Sequence, residues 1–205
     1  MPCTNFGGNL LYCLLTVAVL AIFYGIYFTK MLVQKRHGIH TRQLGRRKEK
    51  ALHRVEILMS VATLAIVPIQ LVSAFLGWSC LPSTVRIIGF FVGLTGNGIF
   101  LAAVLYMKDS WRAGIPEKDK TSLVTNGIYS FSRNPAFLGF DMMYIGVLLM
   151  YCNVLTGIFT AFCVVMLHLQ ILQEEKYMTA TFGKTYLGYK KRVFRYIGRK
   201  VNHEK

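Results

Sequence analysis

The residues in this chain best suited to chemistry lie between 121 and 189. Arg133, Asn134 and Pro135 open one apolar segment, and the doublet Glu174-Glu175 closes the next. Asn at an N-cap and Pro at the first helical position are residues that a helix start favours. A helix beginning there offers free backbone N–H groups and a partial positive charge to an anion. Arg133 beside it can grip a carboxylate through two hydrogen bonds. The glutamates can pair with a cation, although adjacent positions on a helix face different ways. On the same segment stand His168 and Gln170, and His168 is the only nearby side chain that titrates near neutrality unperturbed. Asp141 lies seven residues past Asn134, about 10 Å deeper along a helix. An ionisable group at that depth in a membrane is costly, and it is either functional or paired with a neighbour such as a tyrosine. Grips for an anion and for a cation at one mouth describe a small-molecule site at a membrane surface.

The elements that must position these groups are apolar runs. The chain is 54% hydrophobic and 16% charged, with a mean hydropathy of +0.42. Three runs, Leu10 to Phe28, Ile57 to Trp78 and Ile87 to Met107, carry no Lys, Arg, Asp or Glu. Each approaches the ~20 residues needed to cross a ~30 Å hydrocarbon core. Ala136 to Tyr151 and Val154 to Gln173 are separated only by Cys152-Asn153 and read as a tight hairpin. The expectation is an all-α integral membrane fold of five transmembrane helices, with a C-terminal helical hairpin and a cytosolic cofactor pocket. Residues 1–107 would hold three helices and a basic loop. Residues 108–205 would hold a core of loop, hairpin (136–176) and basic tail, the whole forming one folded unit.

The net charge of +15 would suggest nucleic acid in a soluble protein. Its distribution argues otherwise. Of 24 Lys and Arg, nine fall between Lys30 and Arg54, five between Lys108 and Arg133 and nine from Lys176 onward, which leaves Arg86. With the N-terminus outside, alternate crossings place all three groups on the cytoplasmic side, as the positive-inside rule requires. A basic inner face also attracts anionic lipid headgroups. The expected partner is therefore the bilayer and not nucleic acid. The five cysteines have no C-x-x-C pairing for zinc or redox work and read as small hydrophobes, so no metal is expected.

Other positions have structural readings. Tyr24 and Tyr27 fall at the inner end of the first helix, where amphipathic rings favour the interface, and Trp111 is placed likewise. Pro68 should bend the second helix. Gly93, Gly96 and Gly98 let another helix or a flat ligand approach closely. Asn126-Gly127 is a turn dipeptide.

The string LVTNGIYSFSRNPAFLGF, its spacing to Glu174-Glu175 and the closing FGKTYLGYKKRV resemble the isoprenylcysteine carboxyl methyltransferase family and its phospholipid N-methyltransferase relatives. The resemblance runs from about Gly93 onward. It implies an integral-membrane enzyme that uses S-adenosylmethionine. It also implies cofactor contacts at Thr121, Ser122, Leu123 and Val124, at Tyr129, at Asn134, Pro135, Ala136 and Phe137, and at Glu174. Gly96, Gly98 and the Glu174-Glu175 doublet match the two cofactor motifs of the phospholipid enzymes. Two departures stand out. Asn134 occupies a position that is usually His, and Gln170 occupies one where the prenylcysteine enzymes carry an Arg for the substrate carboxylate.

Arg133, His168 and Gln170 are thus the substrate-side candidates, facing a lipophilic or small methyl acceptor. If that acceptor is an amine or thiol it must lose a proton, which His168 can take. A non-enzymatic membrane scaffold or transporter is the alternative. It would show internal repeats and mid-membrane charge; no repeat is evident, and apart from Asp141 the charges crowd one surface.

Overall fold

The computed structural model describes residues 6–39, 41, 50–112 and 122–200. Five helices follow in order: α1 (Phe6–Arg36), α2 (Lys50–Phe75), α3 (Ser83–Met107), α4 (Pro135–Met150) and α5 (Val154–Arg192), with short 3-10 turns at Lys108–Ser110 and Gly127–Ser130. One isolated antiparallel bridge, Val193 to Arg199, is the sole extended pairing among the described residues. Four of the helices are long and apolar enough to span a bilayer, and α4 is shorter. Its sixteen residues rise about 24 Å, enough to cross most of the hydrocarbon core. The multi-pass, all-helical membrane fold read from hydropathy is the fold observed.

The closest helix contact joins α3 to α4, and small residues make it. Gly89, Gly93 and Gly96 on α3 meet Gly139 and Gly146 on α4 with backbone against backbone. A Cβ added at Gly146 would lie 2.6 Å from the Gly89 carbonyl oxygen, and one at Gly96 would lie 2.8 Å from the Gly139 oxygen. Lipid tails are as apolar as leucine, so such helices associate through close van der Waals packing, which small residues permit. α1 lies against this pair, where Asn97 donates to the Val19 carbonyl at 3.0 Å. α2 packs on α5, and the core collects Phe23, Ile66, Phe100, Met143, Tyr144 and Leu167.

Two ends result. The far end gathers Asn9, the α2–α3 turn and the hairpin turn, with Cys80 N–H donating to the Cys152 carbonyl. Arg86, the lone basic residue of that end, is buried there. It donates to the Met150 carbonyl at 2.9 Å and to Asn9 at 3.2 Å, beneath the Tyr12 ring. A cation on the last carbonyls of α4 satisfies orphan acceptors and the helix dipole together. At the other end, Gln34 of α1 donates to the Trp111 carbonyl, and Arg133 N–H to the Phe194 carbonyl.

Several local expectations change. Trp111 is buried (4% exposed) against Tyr27 and Phe100 instead of lying at the lipid surface. Its ring has aromatic partners inside the bundle, and its carbonyl holds α1. α5 continues far past Gln173 and breaks at Gly183 (φ 51°), a left-handed value that glycine takes without strain. That break folds Tyr186 and Tyr189 back into the protein. At Gly127 (φ 57°) the turn is as read, and any Cβ there would strike the Tyr106 ring.

Gly146→Ala should therefore force α3 and α4 apart and destabilise the protein by about 1–3 kcal/mol. Gly98→Ala, with nothing within 4 Å of its added methyl, should be neutral or stabilising by up to about 1 kcal/mol. Thermal unfolding in detergent micelles compares the two, and equal losses would refute the packing account.

Candidate functional site

The mouth is built around one carboxylate. Glu175 is 4% exposed and accepts two hydrogen bonds from Arg133, at 2.6 and 3.1 Å. Asn134 Nδ2 donates to the same oxygen at 3.3 Å, Arg195 Nη2 donates to the other at 3.0 Å, and Lys190 Nζ stands 3.8 Å away. Arg133 is equally buried and also donates to the Val193 carbonyl at 2.6 Å. A buried carboxylate is tolerable only when paired and hydrogen-bonded. Glu175 meets that condition by drawing the α4 entrance and the C-terminal tail onto α5.

Asn134 occupies the N-cap position, and Pro135 follows at the start of α4, as read from the sequence. The asparagine side chain makes no cap hydrogen bond; its Nδ2 donates to Glu175 Oε1 and to the Arg195 carbonyl. The first N–H groups of a helix have no intrahelical acceptor. Ala136 and Phe137, in that first turn, line the adjoining space and receive no side-chain cap from Asn134.

That space is a cavity of about 370 Å³, in the range of small-molecule sites. Its lining divides into two chemical groups. Ser110, Ser122, Tyr129, Asn134, Glu174 and Tyr177 are polar, whereas Tyr27, Phe28, Met59, Leu64, Phe140 and Leu167 are largely apolar. Phe28 and Leu64 line it and are also exposed, at 49% and 76%, so the apolar side reaches the lipid-facing surface. Burial, with Tyr189 and Glu174 nearby, pushes the Tyr129 phenol upward, so it stays a neutral hydroxyl.

Most residues read as cofactor contacts reach this cavity. Ser122, Leu123, Val124, Tyr129, Asn134, Ala136, Phe137, Glu174 and Glu175 all line it, as does Arg133. Thr121 lies outside the described residues. Pro135 is buried at the helix start without lining the cavity. Gly96 packs against Gly139 and Met143 of α4, Gly98 has open space around it, and neither lines the cavity. Arg133 has its guanidinium committed to Glu175 and backbone carbonyls. Glu175 is likewise committed to its cations, and Glu174 is the half-buried carboxylate of the doublet at the cavity.

The substrate-side candidates part company. Gln170 is fully buried and donates to Glu174 Oε1 at 3.3 Å, while its own Oε1 has no hydrogen-bond partner. His168 Nδ1 meets the Tyr196 hydroxyl at 2.6 Å under a parallel ring, and neither residue lines the cavity. Asp141 is buried on α4 with Oδ1 unpartnered.

Sequence reasoning missed the contribution of α1 and α2: Tyr24, Tyr27, Phe28, Met59, Ser60, Thr63 and Leu64 all line the cavity. The spacing of Tyr24, Tyr27 and Phe28 on one helix face, and hydroxyls inside an apolar run at Ser60 and Thr63, were the available signals.

Residues 85–185 match the phospholipid methyltransferase family. Three relatives bear the name protein-S-isoprenylcysteine O-methyltransferase. The mouse protein is 36% identical over 78 residues, which is 38% of this chain and 28% of that one. The B form of Arabidopsis thaliana is 35% identical over 82 residues, covering 38% and 41%. The Xenopus laevis protein is 28% identical over 110 residues, covering 52% and 38%. The matched stretches thus span well under half of each relative. They bear out the family resemblance read from the sequence, in the half of the chain where its motifs lie.

Glu175→Gln should cost about 3 kcal/mol or more, because buried Arg133 loses its counter-charge. Arg195→Gln, whose side chain is 32% exposed, should cost about 1 kcal/mol or less. Thermal unfolding of both variants measures the gap, and equal effects would dismiss Glu175 as the centre of the cluster.

Proposed function

We propose that this chain, whose residues 85–185 carry the phospholipid methyltransferase pattern, is an integral-membrane enzyme that moves a methyl group from S-adenosylmethionine to a lipophilic acceptor. The observation that carries the reading is the single cavity joining Glu174, Tyr129 and the α4 entrance to an apolar wall that reaches the lipid side. When bound, the cofactor supplies an electrophilic methyl group on a positive sulfur.

The residues present suit such a ligand. It bears an ammonium and a carboxylate, and each needs a partner in a partly dry site. Glu174, steadied by Gln170, would take the ammonium or the ribose hydroxyls. The uncapped N–H groups of Ala136 and Phe137 would take the carboxylate. Ser122 to Val124 and Tyr129 would flank the remainder. Arg133 and Glu175 would position these groups by fixing the α4 entrance, touching no ligand. Tyr27, Phe28, Met59 and Leu64 would receive the acceptor between α1 and α2. Methyl transfer is an in-line displacement, so holding donor and acceptor about 3–3.5 Å apart and aligned accounts for much of the rate without a protein nucleophile.

On this reading residues 108–205 form the catalytic core, and the first three helices complete the acceptor wall in one folded unit. The mouth faces the cytosol, because the basic segments gather there with the N-terminus outside. Gln170 in place of a cation, and Arg133 held by Glu175, weigh against an acceptor gripped by its carboxylate.

Incubating the purified protein with radiolabelled S-adenosylmethionine and a total lipid extract should label a lipid fraction. No label and no cofactor binding would turn the reading toward a membrane scaffold. Glu174→Gln should weaken cofactor binding roughly 10- to 100-fold, the loss of a hydrogen bond to a charged group worth about 1.5–3 kcal/mol. Calorimetric titration measures this, and unchanged affinity would remove Glu174 from the site.

A further inference from the structure

The tail beyond α5 is a hook with its own architecture. Phe194 N–H donates to the Gly198 carbonyl and Gly198 N–H to the Phe131 carbonyl, while the Phe194 carbonyl accepts from Arg133 N–H. Three apolar side chains at the hook are uncovered: Phe131 is 59% exposed, Phe194 46% and Ile197 68%. Two cations edge it, with Arg199 4.9 Å from the Phe131 ring centre and Lys200 5.4 Å from that of Phe194.

Its depth is set by Tyr196, which reaches His168 on α5. His168 is six residues before Glu174, so that contact lies about 9 Å further into the membrane than the mouth. Tyr196 thus ties the hook to α5 on the membrane side of Glu175, while Arg195 ties it to Glu175 itself.

We propose that residues 193–200, with Phe131, form a second membrane-binding element whose ligand is the anionic phospholipid headgroup layer of the protein's own bilayer. Ile197, Phe194 and Phe131 enter the acyl boundary, as the apolar face of an interfacial element does. Arg199 and Lys200 extend from their aromatic platforms to lipid phosphates. A basic residue near an anionic surface gains about 1 kcal/mol, and the ring beneath each cation restricts its conformations. Charge complementarity selects this occupant: the exposed rim carries cations, and the leaflet beside a basic mouth is the one that supplies anionic lipid. This inference rests on the membrane placement alone and is independent of the enzymatic reading.

The full-length protein, with Cys3, exposed Cys80 and half-exposed Cys152 replaced by Ser and Ile197→Cys carrying a nitroxide, is placed in phosphatidylcholine nanodiscs with or without phosphatidylglycerol. The label should collide several-fold more with oxygen, which partitions into lipid, than with a water-soluble nickel chelate. Phosphatidylglycerol should raise the unfolding temperature of the unlabelled protein. That gain should shrink in Lys200→Gln, whose side chain leaves the hook's backbone bonds intact. It should also shrink as salt is raised to about 1 M, where charges are screened beyond about 3 Å. A label as exposed to nickel as an aqueous one, dipolar broadening from a second copy, or stability indifferent to phosphatidylglycerol would each overturn the proposal.

Discussion

The mouth of this protein depends on a carboxylate placed where carboxylates are expensive. Glu175 would not persist at 4% exposure without the cations around it. Those cations come from three places in sequence: Arg133 before α4, Lys190 at the end of α5, and Arg195 beyond it. Satisfying one buried charge therefore fixes the relative positions of the α4 entrance and the C-terminal hook. Tyr189 adds a second tie, donating to the Tyr129 and Ser132 carbonyls. The Tyr129, Arg133 and Asn134 side of the cavity hangs from these anchors.

The glycine contact between α3 and α4 does complementary work within the bilayer. Where hydrophobic burial gives little advantage over lipid, backbone proximity supplies the association. Because Gly139 and Gly146 lie against α3, the remaining α4 surface is left to face α1 and α5, with Tyr144 meeting Tyr24 and Phe140 meeting Phe23. The aromatic cluster below the cavity floor follows from that orientation.

Hydropathy made the helices legible, since long uncharged runs have few alternatives. The loop positions from Ser122 to Phe137 and the carboxylate doublet were singled out through the family resemblance, and the fold brings most of them to one cavity. The roles within those motifs were not legible. Asn134 was readable as a cap and does hold the N-cap position, yet its Nδ2 serves Glu175, because a buried carboxylate must be hydrogen-bonded. Gly96 was readable as cofactor motif or as packing surface, and only the position of α4 decides between them. The contribution of α1 and α2 was hidden for a different reason: an apolar wall has the same composition whether it meets lipid, another helix or a ligand.

The two adjacent glutamates show how a helix converts sequence adjacency into separate tasks. Neighbouring residues on α5 project about 100° apart, since 3.6 residues complete a turn. Glu175 accordingly turns to Arg133 and Arg195, while Glu174 turns with Gln170, one helical turn earlier. Two carboxylates on one face would repel and raise each other's cost of ionisation. Splitting them lets Glu175 be held by protein cations while Glu174, half-buried and bonded to Gln170, lines the cavity. The committed carboxylate organises the polypeptide around the space, and the neighbouring one contributes charge to that space.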